Sequence, residues 1–308
     1  MRMNTRDLEY FHKLAELASF TMVAEFFGVS QPTITYAVKR LEEAYHCDLV
    51  IKDRSHRSVT LTAEGEILDN HIKTILMELE VAKKTIERSA HHEIRVGLPP
   101  IIRAKLLASL IDMEESVDFM TAFSLTPVSG SSTLLQYLLD GDLDFSLLGS
   151  LQPLGHPKLE IAEIYKRPFY IFVSKKHPLA TKSKISFKEV LDEPFIMLNE
   201  GHIHFDAFNQ LNTRYNNEAQ VLFKFEDPLV IGQMVRENLG ITFLTDFVLF
   251  SQMEGLVKIP LVEEEQFEFH VSYAYSKDYR PPKSIRRFMT ILDQLKKEEK
   301  RLFVNCSG

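Results

Sequence analysis

The sequence predicts a small helix-turn-helix module with a β-hairpin wing, then a long linker helix, then a larger α/β domain. Three patterns predict it. Two helical stretches are separated by the turn Gly28-Val29-Ser30; apolar residues recur by fours and threes from Leu68 to Ile86; and beyond residue 93 short apolar strands each adjoin a helical stretch.

The chain has 308 residues, 45% hydrophobic and 26% charged, enough for two or three cores. Its longest apolar runs are broken by charge or proline before the roughly 18 residues of a membrane span, and MRMNTRDLEYF holds no apolar signal core, so a cytoplasmic protein without a membrane partner is expected. Cys47 and Cys306 lie at opposite ends, without the paired spacing of a zinc site or redox dithiol. A net charge of −7 gives no general affinity for nucleic acid, so any such function must be built locally.

The elements follow in order. Asn4 and Thr5 suit an N-cap, and Leu8, Phe11, Ala15 and Ala18 recur at helical spacing, predicting a helix over Arg6 to Ala18. Thr21 is expected to cap a short second helix through Ala24 and Phe27 that stops at Gly28. Ser30 caps a third, with Pro32 in its first turn, where backbone N–H groups lack partners anyway. Ile34, Val38 and Leu41 define its packed face. Gln31, Thr35 and Lys39 form one outward row and Thr33, Tyr36 and Arg40 the next. That mix of amide, hydroxyl and cation can read base edges and phosphates in a major groove, though a plain solvated face has the same pattern. Leu49 to Thr62 reads as a hairpin with Arg54, His56 and Arg57 at a tip able to touch phosphate. Residues 1–60 hold eight Lys/Arg and eight Asp/Glu, so the case for double-stranded DNA rests on placement, not bulk charge.

Leu68, Ile72, Ile75, Leu79, Ala82 and Ile86 form a heptad seam flanked by Lys73, Glu80, Lys83, Lys84 and Glu87. A narrow seam on a polar helix suits pairing with a second copy, and a two-fold dimer with two recognition helices implies an operator of two half-sites.

Residues 4 to 65 resemble the winged helix-turn-helix of the LysR-type transcriptional regulators. Ser30-Gln31-Pro32, Lys39-Arg40-Leu41-Glu42 and Leu61-Thr62-x-x-Gly65 carry the likeness, which extends more loosely to about residue 300. Tyr36 and Ala37 depart from it, standing where many members have Arg or Gln. The resemblance implies Gln31, Pro32, Thr33, Thr35, Tyr36, Lys39, Arg40, Arg54, His56 and Arg57 as the DNA-facing set. It also implies a promoter-binding activator controlled by a small anionic effector, a homodimer assembling to a homotetramer, RNA polymerase as a further partner, and no cofactor.

The remainder reads as α/β on its own terms. "EIRVGLP" and "FSLLGS" are strands beside helices at Arg103 to Glu115 and Ser132 to Asp140; "FYIFVSKKHPLA", "FIMLNEGHIHFDAF" and "LVIGQMVRENLGITFLT" continue the alternation, arguing for open, largely parallel sheets. Ligands of such sheets sit beyond strand C-termini, at helix N-termini. The candidate junctions are Pro99-Pro100-Ile101, Ser129-Gly130-Ser131-Ser132, Asn199-Glu200-Gly201-His202 and Gly240-Ile241-Thr242. The resemblance implies two subdomains like a periplasmic binding protein, crossing near Tyr165 and returning near Phe267. It places the effector among Pro100, Ile101, Ser131, Ser132, Asn199, His202 and Thr242; the family often supplies a hydroxyl where Pro100 and Ile101 stand, leaving backbone N–H groups here. "GLPPII", "LLGSLQPL" and "LNEGHIHFDAF" resemble a narrower group, regulators of malolactic fermentation genes in lactic acid bacteria, which implies L-malate or a similar short carboxylate.

The expected domains are 1–62, the winged helix-turn-helix; 63–90, the linker and dimerisation helix; and 91–308, the effector domain, with one subdomain at about 91–164 and 268–308 and the other at about 165–267. Other chemistries find no footing. His202 with His204 and His91 with His92 lack the i, i+4 spacing of a helical metal site, and His204 reads as a surface residue. Asp140, Asp142 and Asp144 read as a helix exit and turn. No GxGxxG, phosphate loop or nucleophile elbow is present, so no enzyme is expected. The competing class is a solute-binding protein without a DNA role, which leaves residues 4 to 88 unexplained.

Overall fold

The computed structural model describes residues 4–53, 58–91, 93–103, 106, 123–126, 130–246, 248 and 254–305. Contacts divide the chain into two compact units, Met1–Glu87 and Arg88–Gly308.

The first unit runs α1 (Thr5–Leu17), α2 (Phe20–Phe27), α3 (Gln31–Tyr45), β1 (Val50–Asp53), β2 (Ser58–Leu61) and most of α4 (Ala63–His91). The Asn4 side chain caps α1 and Ser30 caps α3, as their types favour. The cap of α2 is Ser19, not Thr21, which lies inside the helix. The cause is Ala18, whose left-handed φ of 51° ends α1 and leaves Ser19 first in the new direction. Tyr10 and Leu14 join Leu8 and Phe11 in the buried stripe of α1, while Ala15 and Ala18 are half-buried. Against that stripe pack Val23 and Ala24 of α2, Ile34, Ala37, Val38 and Leu41 of α3, and Leu49 and Val59 of the wing.

The run Leu61-Thr62-x-x-Gly65 has a direct structural reason. Leu61 pairs with Val50 across the antiparallel hairpin. The Thr62 hydroxyl donates to the Asp48 carbonyl at 2.8 Å and accepts the Gly65 N–H at 3.0 Å, capping α4. At Gly65 the helix passes so near the hairpin that an added Cβ would lie 2.1 Å from the Leu49 carbonyl oxygen. Leu68 and Ile72, one and two turns on, are buried in this unit's own core.

The second unit contains β3 (Arg95–Gly97), β4 (Ser124–Thr126), α5 (Ser131–Leu139), β5 (Phe145–Ser150), β6 (Leu159–Ser174), β7 (Phe195–Leu198), α6 (Ile203–Thr213), β8 (Val221–Phe225), α7 (Pro228–Arg236), β9 (Thr242–Thr245), β10 (Leu256–Pro260), β11 (Glu268–Ser276) and α8 (Lys283–Asn305). A helical turn covers 100–103; most of the helix expected over Arg103 to Glu115 lies outside the described residues. The sheet order is β10-β6-β11-β5-β3-β4, with β9 also on β6. The sheets are mixed, not largely parallel. β3 runs parallel to β4 and β5, and β7 to β8, but β6 and β11 are antiparallel to each other and to their other neighbours. The reason lies in those two long strands, which cross between the subdomains in opposite directions. β6 pairs with β11 as far as Pro168, then from Phe169 with β9 and β10.

A buried ion pair supports the start of this unit. The Arg88 Nε and Nη2 groups both lie 3.2 Å from Asp144 Oδ1, and the Arg95 N–H donates to Asp144 Oδ2 at 2.9 Å. Asp144, the last residue of the expected helix exit, thus satisfies both carboxylate oxygens before β5 begins.

The close approach at Gly65 makes a testable demand. Gly65→Ala forces a methyl into a backbone carbonyl, a case of overpacking without a flexible neighbour to yield, and should cost about 2 kcal/mol. Thermal unfolding of the full chain, followed by circular dichroism, should show its lowest transition shifted down, while Gly155→Ala, which meets nothing within 4 Å, should leave it in place.

Candidate nucleic-acid interface and effector cleft

On α3, Gln31, Pro32, Thr33, Tyr36 and Lys39 are exposed and Thr35 is half-buried. The Thr33 and Ser30 hydroxyls lie 2.8 Å apart, and the Thr35 hydroxyl donates to the Gln31 carbonyl at 3.2 Å. Tyr36 is 62% exposed. Lys39 lies 3.5 Å from Glu43, an exposed pair that costs little to break. Arg40 stands in the expected outward row, its side chain 49% exposed, and is also committed to a partner. Its guanidinium forks onto both oxygens of Asp7, a carboxylate only 2% exposed, tying α3 to α1. Burying that carboxylate unpaired would be costly, so Arg40 is engaged in holding the recognition helix in place. Arg54, His56 and Arg57 lie outside the described residues.

The α4 seam divides in two. Because Leu68 and Ile72 are packed in their own unit, only Ile75, Leu79, Ala82 and Ile86 remain exposed for a second copy.

In the second unit a cleft is lined by Pro99, Pro100, Ile101 and Ile102 on one wall with Gly130 and Ser131, by Gly201, His202, Ile203 and His204 on the other, and by Phe269. Three of the four expected junctions meet here. Neither Gly130 at the head of α5 nor His202 at the head of α6 supplies a side-chain cap, so the first N–H groups of both helices stay uncapped by side chains beside the cleft. No Lys or Arg stands among the lining residues. An anion would therefore be held by backbone dipoles, the Ser131 hydroxyl and His202. Ser131 is itself oriented, its oxygen accepting the Gly149 N–H at 2.7 Å. The free volume is about 20 Å³, little more than one water needs. An added Cβ on Gly130 would lie 3.1 Å from the Gly201 carbonyl oxygen, so the two loops nearly touch. Their φ values of 104° and 87° suit glycine.

The fourth junction does not reach the cleft. Thr242 is fully buried, its hydroxyl against the Met197 sulfur at 3.9 Å, because β9 lies inside the core along its whole length. Ser132 and Asn199 also stand apart from the lining; Ser132 is exposed, and the Asn199 backbone is engaged with Phe225. His204, expected at the surface, is 1% exposed. Phe169 and Phe269 flank its ring, Thr245 Oγ1 lies 3.0 Å from its Nε2, and burial pushes its pKa down to about 3. Burial also lowers the pKa of His202, with Glu226 and Asp206 opposing the shift. Ile102, Ile203, His204 and Phe269 are the lining residues that sequence reasoning missed; the first three each lie within two residues of an expected junction, and Phe269 carries no local signal. Among the described residues, no group of three His, Cys, Asp or Glu side chains could hold a metal, and no helix is long and apolar enough to cross a membrane.

Residues 5–66 match the model of the bacterial regulatory helix-turn-helix protein, lysR family, and residues 87–296 match the LysR substrate binding domain. The chain belongs to the LysR family. As a LysR-type transcriptional regulator it joins a DNA-binding domain to an effector-binding domain, and its relatives are named as regulators, not enzymes. The malolactic fermentation system transcriptional activator of Lactococcus lactis subsp. lactis (strain IL1403) is 46% identical over 296 residues, 96% of this chain and 100% of that one. The HTH-type transcriptional regulator AlsR of Bacillus subtilis (strain 168) is 29% identical over 313 residues, 94% and 95% of the two chains. An OxyR mutant of Corynebacterium glutamicum shares the fold with a TM-score of 0.53 at 20% identity, over 100% of this chain and 96% of that one. Full-length BenM shares it at 0.51 and 18%, over 97% and 98%.

Two predictions follow from these geometries. Tyr36→Ala or Thr33→Ala should relax base preference at one position per half-site, costing roughly 1–3 kcal/mol on the specific site and far less on random DNA. Fluorescence anisotropy with both DNAs checks it, and equal losses would remove α3 as the reading element. For His204, above about pH 6.5 the folded and unfolded states are both neutral and its burial carries no pH-dependent penalty. Below that, the unfolded state takes a proton that the folded state refuses until about pH 3, so stability falls by about 1.4 kcal/mol per pH unit across that window. Denaturant titrations between pH 7 and pH 4 should show His204→Phe losing less stability on acidification than the parent.

Proposed function

We propose that this regulator is an activator of genes for organic-acid metabolism, and that a short dicarboxylate, L-malate or a close analogue, binds the cleft and alters its hold on promoter DNA. One observation carries the effector class: two helix N-termini without side-chain caps face a cleft with no basic side chain. Such a site favours a small anion over a cation or an apolar ligand. The near-whole-chain likeness to a malolactic fermentation system activator favours malate and its kin among such anions. The effector contacts are Ser131, His202 and the N–H groups near Ile101, Gly130 and Ile203. Because the free volume is so small, binding requires the Gly130 and Gly201 loops to part, and the ligand shifts the open and closed states only by its differential affinity for them.

In this reading the protein works in the cytoplasm as a homodimer joined along Ile75, Leu79, Ala82 and Ile86, two dimers make a tetramer, and the DNA-bound assembly engages RNA polymerase. Residues 1–62 contact DNA, with the wing tip at Arg54, His56 and Arg57 on phosphate; residues 63–90 join the subunits; residues 91–308 hold the effector.

Calorimetric titration of L-malate into the full-length protein tests the effector claim. A carboxylate beside His202 raises a pKa that burial has lowered, so binding takes up a proton and tightens from pH 7.5 to pH 5.5. Ser131→Ala should weaken binding about tenfold at both pH values, whereas His202→Ala should remove the pH dependence. Undiminished affinity in both variants would exclude this site. For assembly, Ile75→Asp with Leu79→Asp places unpaired charge in the seam and should abolish dimers in sedimentation velocity. An unchanged oligomer would assign the contact elsewhere.

A further inference from the structure

The floor of the cleft brings groups from both subdomains onto two aromatic rings. Phe169 lies on β6 and Phe269 on β11, their centroids 6.4 Å apart and their planes at 86°. The His204 ring, from the first turn of α6, packs 5.2 Å from Phe169 and 4.9 Å from Phe269. Its Nε2 is 3.0 Å from Thr245 Oγ1 on β9. On the other subdomain, Phe269 lies so close to Gly149 of β5 that an added Cβ there would come within 2.5 Å of the ring. The Gly149 N–H in turn holds the Ser131 oxygen at the head of α5. Contacts thus run without a gap from one wall of the cleft to the other: Thr245, His204, Phe269, Gly149, Ser131.

An imidazole is an expensive choice for this place. Phe or Leu would bury here without desolvating two ring nitrogens. A cation would also be disfavoured at a helix N-terminus, in keeping with a ring held neutral. What a neutral imidazole adds is one donor and one acceptor, and the Thr245 hydroxyl can answer either. That hydrogen bond fixes the orientation of a flat ring wedged against both crossover strands.

We infer that His204 is a positioning residue that couples the two walls of the cleft: its bond to Thr245 sets the ring against Phe269, and Phe269 sets Gly149 and Ser131 on the facing wall. Occupancy of the cleft then moves α5 and α6 together instead of separately. The physiological input rests on the effector reading above, but the coupling is a property of the ligand-free protein and can be measured there.

Amide hydrogen exchange on the full-length protein tests it, in the parent, Thr245→Val, His204→Phe and His204→Gln. Thr245→Val is close in shape to the parent and keeps the fold testable. Loss of the bond in Thr245→Val and His204→Phe should speed exchange at Gly149, in the other subdomain, by roughly fivefold, the worth of one net hydrogen bond. His204→Gln, which can return a side-chain nitrogen to Thr245 Oγ1, should restore the parent rate. If β9 amides accelerate while Gly149 keeps its rate in both variants, His204 is only a local core residue and the inference is overturned. A thermal-shift series with L-malate on the same four proteins separates the two ideas. No ligand-induced shift in the parent with Gly149 responding as stated defeats the effector reading and supports the coupling. A ligand-induced shift in the parent with Gly149 unresponsive does the reverse.

Discussion

The antiparallel crossing of β6 and β11 is the constraint on which the effector domain depends. These are the two strands that pass between its halves, and each carries a phenylalanine at the crossing, Phe169 and Phe269. Both helices that head the cleft connect to that pair: α6 through His204, and α5 through the Ser131 oxygen held by Gly149 of β5, which lies against Phe269. Closely packed interiors pass displacement from contact to contact because they compress little. A ligand that spreads the Gly130 and Gly201 loops therefore acts on the same crossing that joins the subdomains.

The DNA-binding unit is fixed by a different economy of contacts. Arg40 gives its fork to Asp7, Thr62 gives its hydroxyl to the head of α4, and Gly65 lets that helix lie on the hairpin. Together they hold α3 so that Gln31, Thr33, Tyr36 and Lys39 project outward from a helix whose other face is closed by Ile34, Ala37, Val38 and Leu41. Residues that mark the family in sequence are thus partly residues that aim the recognition helix.

What the sequence made legible was what local chemistry decides. Ser30, Pro32 and the spacing Ile34, Val38, Leu41 specify α3 without help from distant residues, and the Gly-flanked helix starts at residues 130 and 201 marked two of the three junctions that form the cleft. The misplaced features were set at a distance. Thr21 lost the cap to Ser19 because Ala18 turned left-handed where β2 bonds to it, the Val59 N–H donating to its carbonyl. Strand direction is not written in a strand, so β6 was read too short and the sheets too parallel. Thr242 and His204 each looked like a polar residue near a turn; their burial is decided by Met197, Phe169 and Phe269, far along the chain. Leu68 and Ile72 fit a heptad and a core equally well, and only the position of the wing decides between them.

In the proposed function the effector is an anion held by the N-terminal amides of α5 and α6. Hydrogen exchange of the full-length protein with and without saturating L-malate tests it most directly. Bound effector should slow exchange at the amides of residues 131–133 and 203–205, on both walls at once. Slowing confined to one wall, or found only in other segments of the chain, would contradict it.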